Sequence, residues 1–232
     1  MTGPEGSGEP NDGPAGRRSG PVPPTGAGEP HDGPAGRRSG PVPPTGAGEP
    51  EGGAPVDREG LARRIYRSSH LTGTFVLRSG VTSSEYFDKY RFEADPALLR
   101  EIGAAMARLL PDRVDALAGL ELGGVPLATV LSQLTGLPAA FVRKQAKPYG
   151  TRRLAEGADL AGRRIVVVED VVTSGGAVVE SCASLREQGA EVAAAVCVID
   201  REQGGAANLA AVGVELRPLF TMGQLVGAME GR

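Results

Sequence analysis

The sequence predicts an α/β fold built on a parallel sheet, preceded by a segment with no core of its own. Three observations carry that expectation. RRIVVVED, ending at Asp170, and EVAAAVCVID, ending at Asp200, are apolar runs without alternation, the pattern of strands buried on both faces. They alternate with stretches of helical period, the order expected of strands joined by crossover helices. The first 55 of the 232 residues contain no Leu, Ile or aromatic residue and hold 13 of the 19 prolines, too little apolar surface to offset the entropy of ordering.

That first segment repeats itself. GEPNDGPAGRRSGPVPPTGA at 8–27 returns at 28–47 with Asn11 exchanged for His31. A 20-residue period can mark a solenoid, but a Pro/Gly unit with one Val has no apolar face to stack. Residues 1–55 are therefore expected to be a disordered, partly polyproline tail. Its arginine pairs, Arg17–Arg18 and Arg37–Arg38, offer a docking or nucleic-acid patch, against which stands the excess of acidic residues in the same segment. Residues 56–232 are expected to form one globular domain. The net charge of -3 and the lack of a basic stripe argue against a dedicated nucleic-acid binder. No apolar stretch reaches membrane-spanning length, and the N-terminus reads as no signal peptide, so the expected location is the cytoplasm. Cys182 falls in a helical pattern and Cys197 in an apolar run, which suits buried thiols better than a disulfide or a metal pair.

The elements follow in order. Asp95 and Pro96 open a helix as N-cap and first residue, with Leu98, Ile102, Met106 and Leu109 at helical spacing. A short strand at 116–120 leads into the turn ELGGVP and the helical run LATVLSQLT, which Gly136 closes. A strand at 138–142, a polar segment to about 162 and the strand RRIVVVED come next. The helix AVVESCASLREQ ends at Gly189, and EVAAAVCVID is the following strand.

In open α/β sheets ligands sit beyond the carboxyl ends of the strands. Glu169, Asp170 and the Thr-Ser-Gly-Gly turn fall at such an end, just before a helix N-terminus whose free N–H groups and dipole favour an anion. The turn has neither a Walker pattern nor GxGxxG. Small residues around one turn suit a single phosphate monoester, and two carboxylates suit vicinal hydroxyls or hydrated Mg²⁺. The ligand suggested is a phosphorylated sugar, with a structural helix cap as the plainer alternative.

IVVVEDVVTSGGA at 165–177 resembles the phosphoribosyl diphosphate signature of type I phosphoribosyltransferases. FVRKQAKPYGTRRLAEG at 141–157 looks like the mobile catalytic loop of orotate phosphoribosyltransferases. DREQGG at 200–205 is similar to that family's orotate-contacting segment, and FVLRSGVTSSEYFD at 75–88 to its N-terminal substrate segment. The resemblance implies a Rossmann-like type I phosphoribosyltransferase core with a parallel sheet and a small hood carrying the N-terminal substrate segment.

It also implies roles. Glu169 and Asp170 hold the ribose hydroxyls, the run continues through Val171 and Val172, and Thr173, Ser174, Gly175, Gly176 and Ala177 wrap the 5-phosphate. Thr173 also touches orotate, Arg201 pairs with its carboxylate, and Tyr86 and Phe87 flank the pyrimidine. Arg78 stands where many members have Lys. Arg143, Lys144, Lys147 and Tyr149 fall on loop positions that grip diphosphate, and Lys147, Arg143 and Asp170 are the catalytic candidates. Mg²⁺ is the implied cofactor, held through the substrate diphosphate and Asp170, and a homodimer with shared active sites is the implied assembly.

The chemistry agrees. Displacing diphosphate from an anomeric carbon passes through an oxocarbenium-like state, and growing charge on the leaving group calls for fixed cations and a metal. A loop carrying those cations can close over the site and exclude water. The sequence departs from the family at Gly123, where many members carry a diphosphate-binding Lys; the backbone N–H groups of Leu122 and Gly123 are candidates to replace it. His70 is read as structural. Two rivals remain: a type I transferase acting on a purine or uracil, against which Arg201 argues, and a non-catalytic sensor of phosphoribosyl diphosphate, against which Lys144 and Lys147 argue.

Overall fold

The computed structural model describes residues 57–76, 80–143 and 154–230. The tail, Arg78, Lys144, Lys147 and Tyr149 lie outside the described residues.

The first described element is α1 (Arg58–Ser69), capped by the Asp57 carboxylate on the Gly60 N–H. A hairpin follows, β1 (His70–Val76) and β2 (Thr82–Phe87), antiparallel and separate from the main sheet. Two helices come next, α2 (Tyr90–Ala94) and α3 (Pro96–Ala107). The expected cap of α3 is present: Asp95 Oδ1 accepts from the N–H groups of Ala97 and Leu98 at 2.9 and 3.1 Å. Leu98, Ile102 and Met106 are buried on one stripe of the helix. Leu109 lies two residues past its end, partly buried in a turn against the same core.

The main sheet has six strands: β3 (Ala116–Leu120), β4 (Ala139–Val142), β5 (Ala155–Gly157), β6 (Arg164–Val172), β7 (Glu191–Asp200) and β8 (Glu215–Thr221). Their spatial order is β5-β4-β3-β6-β7-β8. Every neighbouring pair is parallel except β4 with β5. The remaining helices are α4 (Glu121–Thr135), α5 (Gly176–Glu187), α6 (Gly205–Ala211) and α7 (Met222–Glu230).

Side chains of the central strands divide between two cores, as alternation along a strand demands. Val166 and Val168 of β6 with Val196 and Val198 of β7 pack under α1, α3, α4 and α7. Ile165, Val167, Ala195 and Cys197 face the other way, against Val178, Cys182 and Leu185 of α5 and Leu209 of α6. With both faces covered, the two strands read as unbroken apolar runs. Cys182 and Cys197 are buried free thiols, and burial pushes the Cys182 thiol up to about 11.

Two expectations are corrected. ELGGVP is not a turn: α4 starts at Glu121, directly after β3, and includes Pro126. Glu121 takes a left-handed φ of 50° to make that junction. The second concerns the acids, which do not end their strand. β6 runs on through Val172, pairing Val171 with Ile199 and Val172 with Asp200. Its pairing with β3 stops at Val168, so the acid-bearing end is held from the β7 side alone.

Candidate active site

The carboxyl ends of β4, β3, β6 and β7 carry Arg143, Gly123, the run from Glu169 to Ala177, and Arg201, one after another along a single edge of the sheet. This is the edge where the crossover connections leave room for a ligand.

The turn after β6 is built from small residues because the backbone folds back on itself there. Gly175 has φ 76°, a conformation that favours glycine, and it serves as the N-cap residue of α5. Thr173, Ser174, Gly176 and Ala177 are exposed around it, in front of the first turn of α5. The turn is buttressed from behind by α6. A Cβ on Gly175 would lie 3.2 Å from the Gly205 Cα, and Asn208 Nδ2 donates to the Ser174 carbonyl at 2.9 Å.

The segment after β7 is tied to the same place. The Arg201 N–H donates to the Val172 carbonyl at 2.8 Å, and Asp200 Oδ1 accepts from the Glu202 N–H at 2.9 Å. Glu202 is held in the left-handed region at φ 57°. Arg201, half-buried, is thereby anchored beside the Thr173–Ala177 turn.

Adjacent residues on a strand point to opposite faces, so the two acids face different surroundings. Glu169 lines a cavity of about 170 Å³ together with Arg143, Leu154 and Ala177. Burial first, then the neighbouring Asp170 carboxylate, push Glu169 well above the ordinary carboxylate range. Asp170 is 0% exposed and lies close enough for its carboxylate to act on that of Glu169. Its Oδ1 accepts from the Val171 N–H at 2.5 Å. Its Oδ2 lies 2.6 Å from Lys89 Nζ, an ion pair set off the axis of an aligned hydrogen bond.

Sequence reasoning missed what surrounds Asp170. Lys89 and Glu93 are four residues apart, the spacing that puts side chains on one helix face, and both reach Asp170. Burial, then the Asp170 charge, push the Glu93 carboxyl up to about 8. A proton held on Glu93 and shared with Asp170 satisfies oxygens, Glu93 Oε1 and Asp170 Oδ2, that otherwise find no hydrogen-bond partner among the described residues. Burial pulls the Lys89 ammonium down, but Asp170 and Glu169 outweigh it and hold Lys89 above the ordinary lysine range. The available signal was the spacing of Lys89 and Glu93 just after Tyr86 and Phe87.

The hairpin supplies the remaining residues. Tyr86 is 45% exposed and leans on Phe75 with ring centroids 5.5 Å apart. Phe87 is half-buried and tilted against Tyr66 at 6.3 Å. His70 stacks on Tyr66 at 4.7 Å and faces Glu85 at 3.4 Å, a placement that suits its structural reading.

The family model described as "Phosphoribosyl transferase domain" matches residues 90–215. The orotate phosphoribosyltransferase of Nocardioides sp. is 56% identical over 170 residues, covering 73% of this chain and 95% of that protein. That of Methanocella arvoryzae is 44% identical over 155 residues, covering 67% and 89%. Among solved structures, Mycobacterium tuberculosis orotate phosphoribosyltransferase in complex with 5-phospho-α-D-ribosyl 1-diphosphate superposes with a TM-score of 0.64 at 30% identity, covering 73% of this chain and 99% of that one. A strand, acid pair and glycine turn of this geometry, in a chain that spans nearly the whole of such relatives, place the protein in the orotate phosphoribosyltransferase family of type I phosphoribosyltransferases.

Proposed function

We propose that the chain transfers the phosphoribosyl group from 5-phosphoribosyl 1-diphosphate to orotate, giving orotidine 5′-monophosphate and diphosphate in de novo pyrimidine (UMP) biosynthesis. The observation that carries this reading is the fastening of Arg201 beside the phosphate turn, through its N–H on the Val172 carbonyl. A 5-phosphate seated on Thr173–Ala177 is met by the N–H groups and dipole of α5, twelve residues long. Its sugar then extends over the end of β6 toward the acids, and its base falls on the side of β7, where Arg201 stands. A guanidinium there matches a carboxylated base in a paired, charge-assisted fashion. Purines and uracil lack a carboxylate, which disfavours the rival acceptors.

In the reaction, orotate N1 bonds to the anomeric carbon as the bond from that carbon to diphosphate breaks, and diphosphate leaves with the electron pair. The bound orotate anion needs little help from a base. Arg143, exposed at the end of β4 and across the cavity from Glu169, stands with the loop residues Lys144, Lys147 and Tyr149 as the set that meets the leaving group. Asp170 fits Mg²⁺ as a carboxylate whose Oδ2 carries an ammonium on a partly exposed side chain that can move aside, since Mg²⁺ completes its shell with phosphate oxygens and water rather than with a full protein cage. No group of three or more His, Cys, Asp or Glu stands together for a metal among the described residues, which agrees with a metal brought largely by the substrate. When bound, Mg²⁺ neutralises charge on the departing diphosphate.

We assign a homodimer in which each loop closes on the partner's site, and a cytoplasmic location. The two buried free thiols favour a reducing compartment, and no described helix is long and apolar enough to cross a membrane. The test is diphosphate release with Mg²⁺ and 5-phosphoribosyl 1-diphosphate against a panel of orotate, uracil, adenine, guanine and hypoxanthine. Release with orotate alone is expected; equal release with another base overturns the acceptor, and none with any base overturns the activity.

A further inference from the structure

Lys89 is the one cation that touches an acid of the strand signature among the contacts described, yet it lies outside the signature and just outside the family-matched stretch, which opens at residue 90. Its ammonium sits 2.6 Å from Asp170 Oδ2. The position where a Cβ of residue 123 would stand is 1.8 Å from the same oxygen. Lys89 therefore projects onto the ground in front of the first turn of α4, at a place where residue 123 contributes no side chain. It is 35% exposed, whereas Asp170 is 0% exposed. The ammonium thus stands over the carboxylate on the solvent side, and its stem has room to move while Asp170 has none.

Resting on the reading above, we propose that Lys89 is a substrate-binding residue that supplies the diphosphate cation absent at Gly123. In the empty site the ammonium neutralises Asp170. When sugar hydroxyls or a metal reach that carboxylate, the ammonium is released from it and meets the diphosphate oxygens that arrive in front of Gly123. A cation parked on an acid keeps an otherwise unpaired buried charge satisfied until substrate arrives. An ammonium on a four-carbon stem suits a shuttle between two anions better than a planar guanidinium does. The N–H groups at the start of α4, fifteen residues long, lie beside it and favour the same anion.

The experiment compares wild type, Lys89→Met and Lys89→Arg in calorimetric titrations with three probes, each with Mg²⁺: 5-phosphoribosyl 1-diphosphate, inorganic diphosphate and ribose 5-phosphate. Losing a charge-assisted contact weakens binding roughly ten- to a hundredfold. That loss is expected for Lys89→Met with the two diphosphate-bearing probes, while ribose 5-phosphate changes by less than about threefold, within the scatter of neutral surface changes. Lys89→Arg keeps the charge without the compact ammonium and recovers only part of the loss. Should Lys89→Met fail to fold because Asp170 is left unpaired, the same comparison is made between Asp170→Asn and Asp170→Asn/Lys89→Met, where no buried carboxylate is left without its cation. Equal weakening of ribose 5-phosphate makes Lys89 a mere counter-ion of Asp170 and overturns the proposal, as does unchanged diphosphate binding. Wild-type turnover of orotate is read separately, so failure of the parent reading is distinguishable from failure of this one.

Discussion

Glu93 is 9% exposed, faces Asp170, Lys89 and Asp88, and holds its carboxyl at about 8 chiefly through burial. A carboxyl whose folded value is raised stabilises the fold in its protonated form. Its contribution is complete below the ordinary glutamate range and is lost as pH climbs through about 8. Glu93→Gln keeps the shape and the hydrogen bond but cannot ionise. Melting temperatures recorded in chelator from roughly pH 6 to pH 9 should therefore fall with pH in wild type and fall less in the variant; parallel profiles would remove Glu93 from the account. Charged residues on a short helix ordinarily read as a solvated face, so neither Lys89 nor Glu93 announced itself in the sequence. Glu169, Asp170, the Thr173–Ala177 turn and Arg201 were legible because each lies in a motif whose residue types suit one task. What one dimension hid was that Asp170 is buried against Lys89 and Glu93, while Glu169 also lines a cavity with Arg143.

Helix α4 meets the sheet more closely than the sequence suggested. A Cβ on Gly124 would stand 2.3 Å from the Val168 carbonyl oxygen, a backbone atom of β6 with little freedom to retreat. Gly124→Ala should accordingly destabilise the protein by about 1 to 3 kcal/mol, the range for overpacking a tight interior. Urea denaturation should show a lower midpoint at unchanged slope, and an unshifted midpoint would mean that α4 can slide. The same closeness explains why GGVP misled: glycines and a proline usually mark a turn, but here they let a helix start on the last residue of a buried strand. Caps and periods made α3, α5 and the central strands readable. Helix α1 was obscured by its five charged residues around Leu61, Ala62 and Ile65, and β8 by Pro218, tolerated because β8 is an edge strand. The hairpin β1–β2 carries mostly exposed side chains, so no buried face betrayed it.

At the scale of the whole molecule, the proposed homodimer with shared sites can be tested by mixing subunits. Lys147→Ala subunits and Asp170→Asn subunits, each nearly inactive alone, should complement after verified subunit exchange, because one of the two sites then joins an intact loop to an intact strand signature. Activity near half the normal value per mixed dimer is the expected limit from counting sites, and no recovery would assign the loop to its own subunit. A division of the two substrates between β6 and β7, with the 5-phosphate on the Thr173–Ala177 turn and the base at Arg201, is read in the Michaelis constants of Arg201→Ala. KM for orotate should rise roughly ten- to a hundredfold, as for a lost charge-assisted contact, while KM for 5-phosphoribosyl 1-diphosphate stays within about threefold. An equal rise in both, or an orotate KM that does not move, would contradict it.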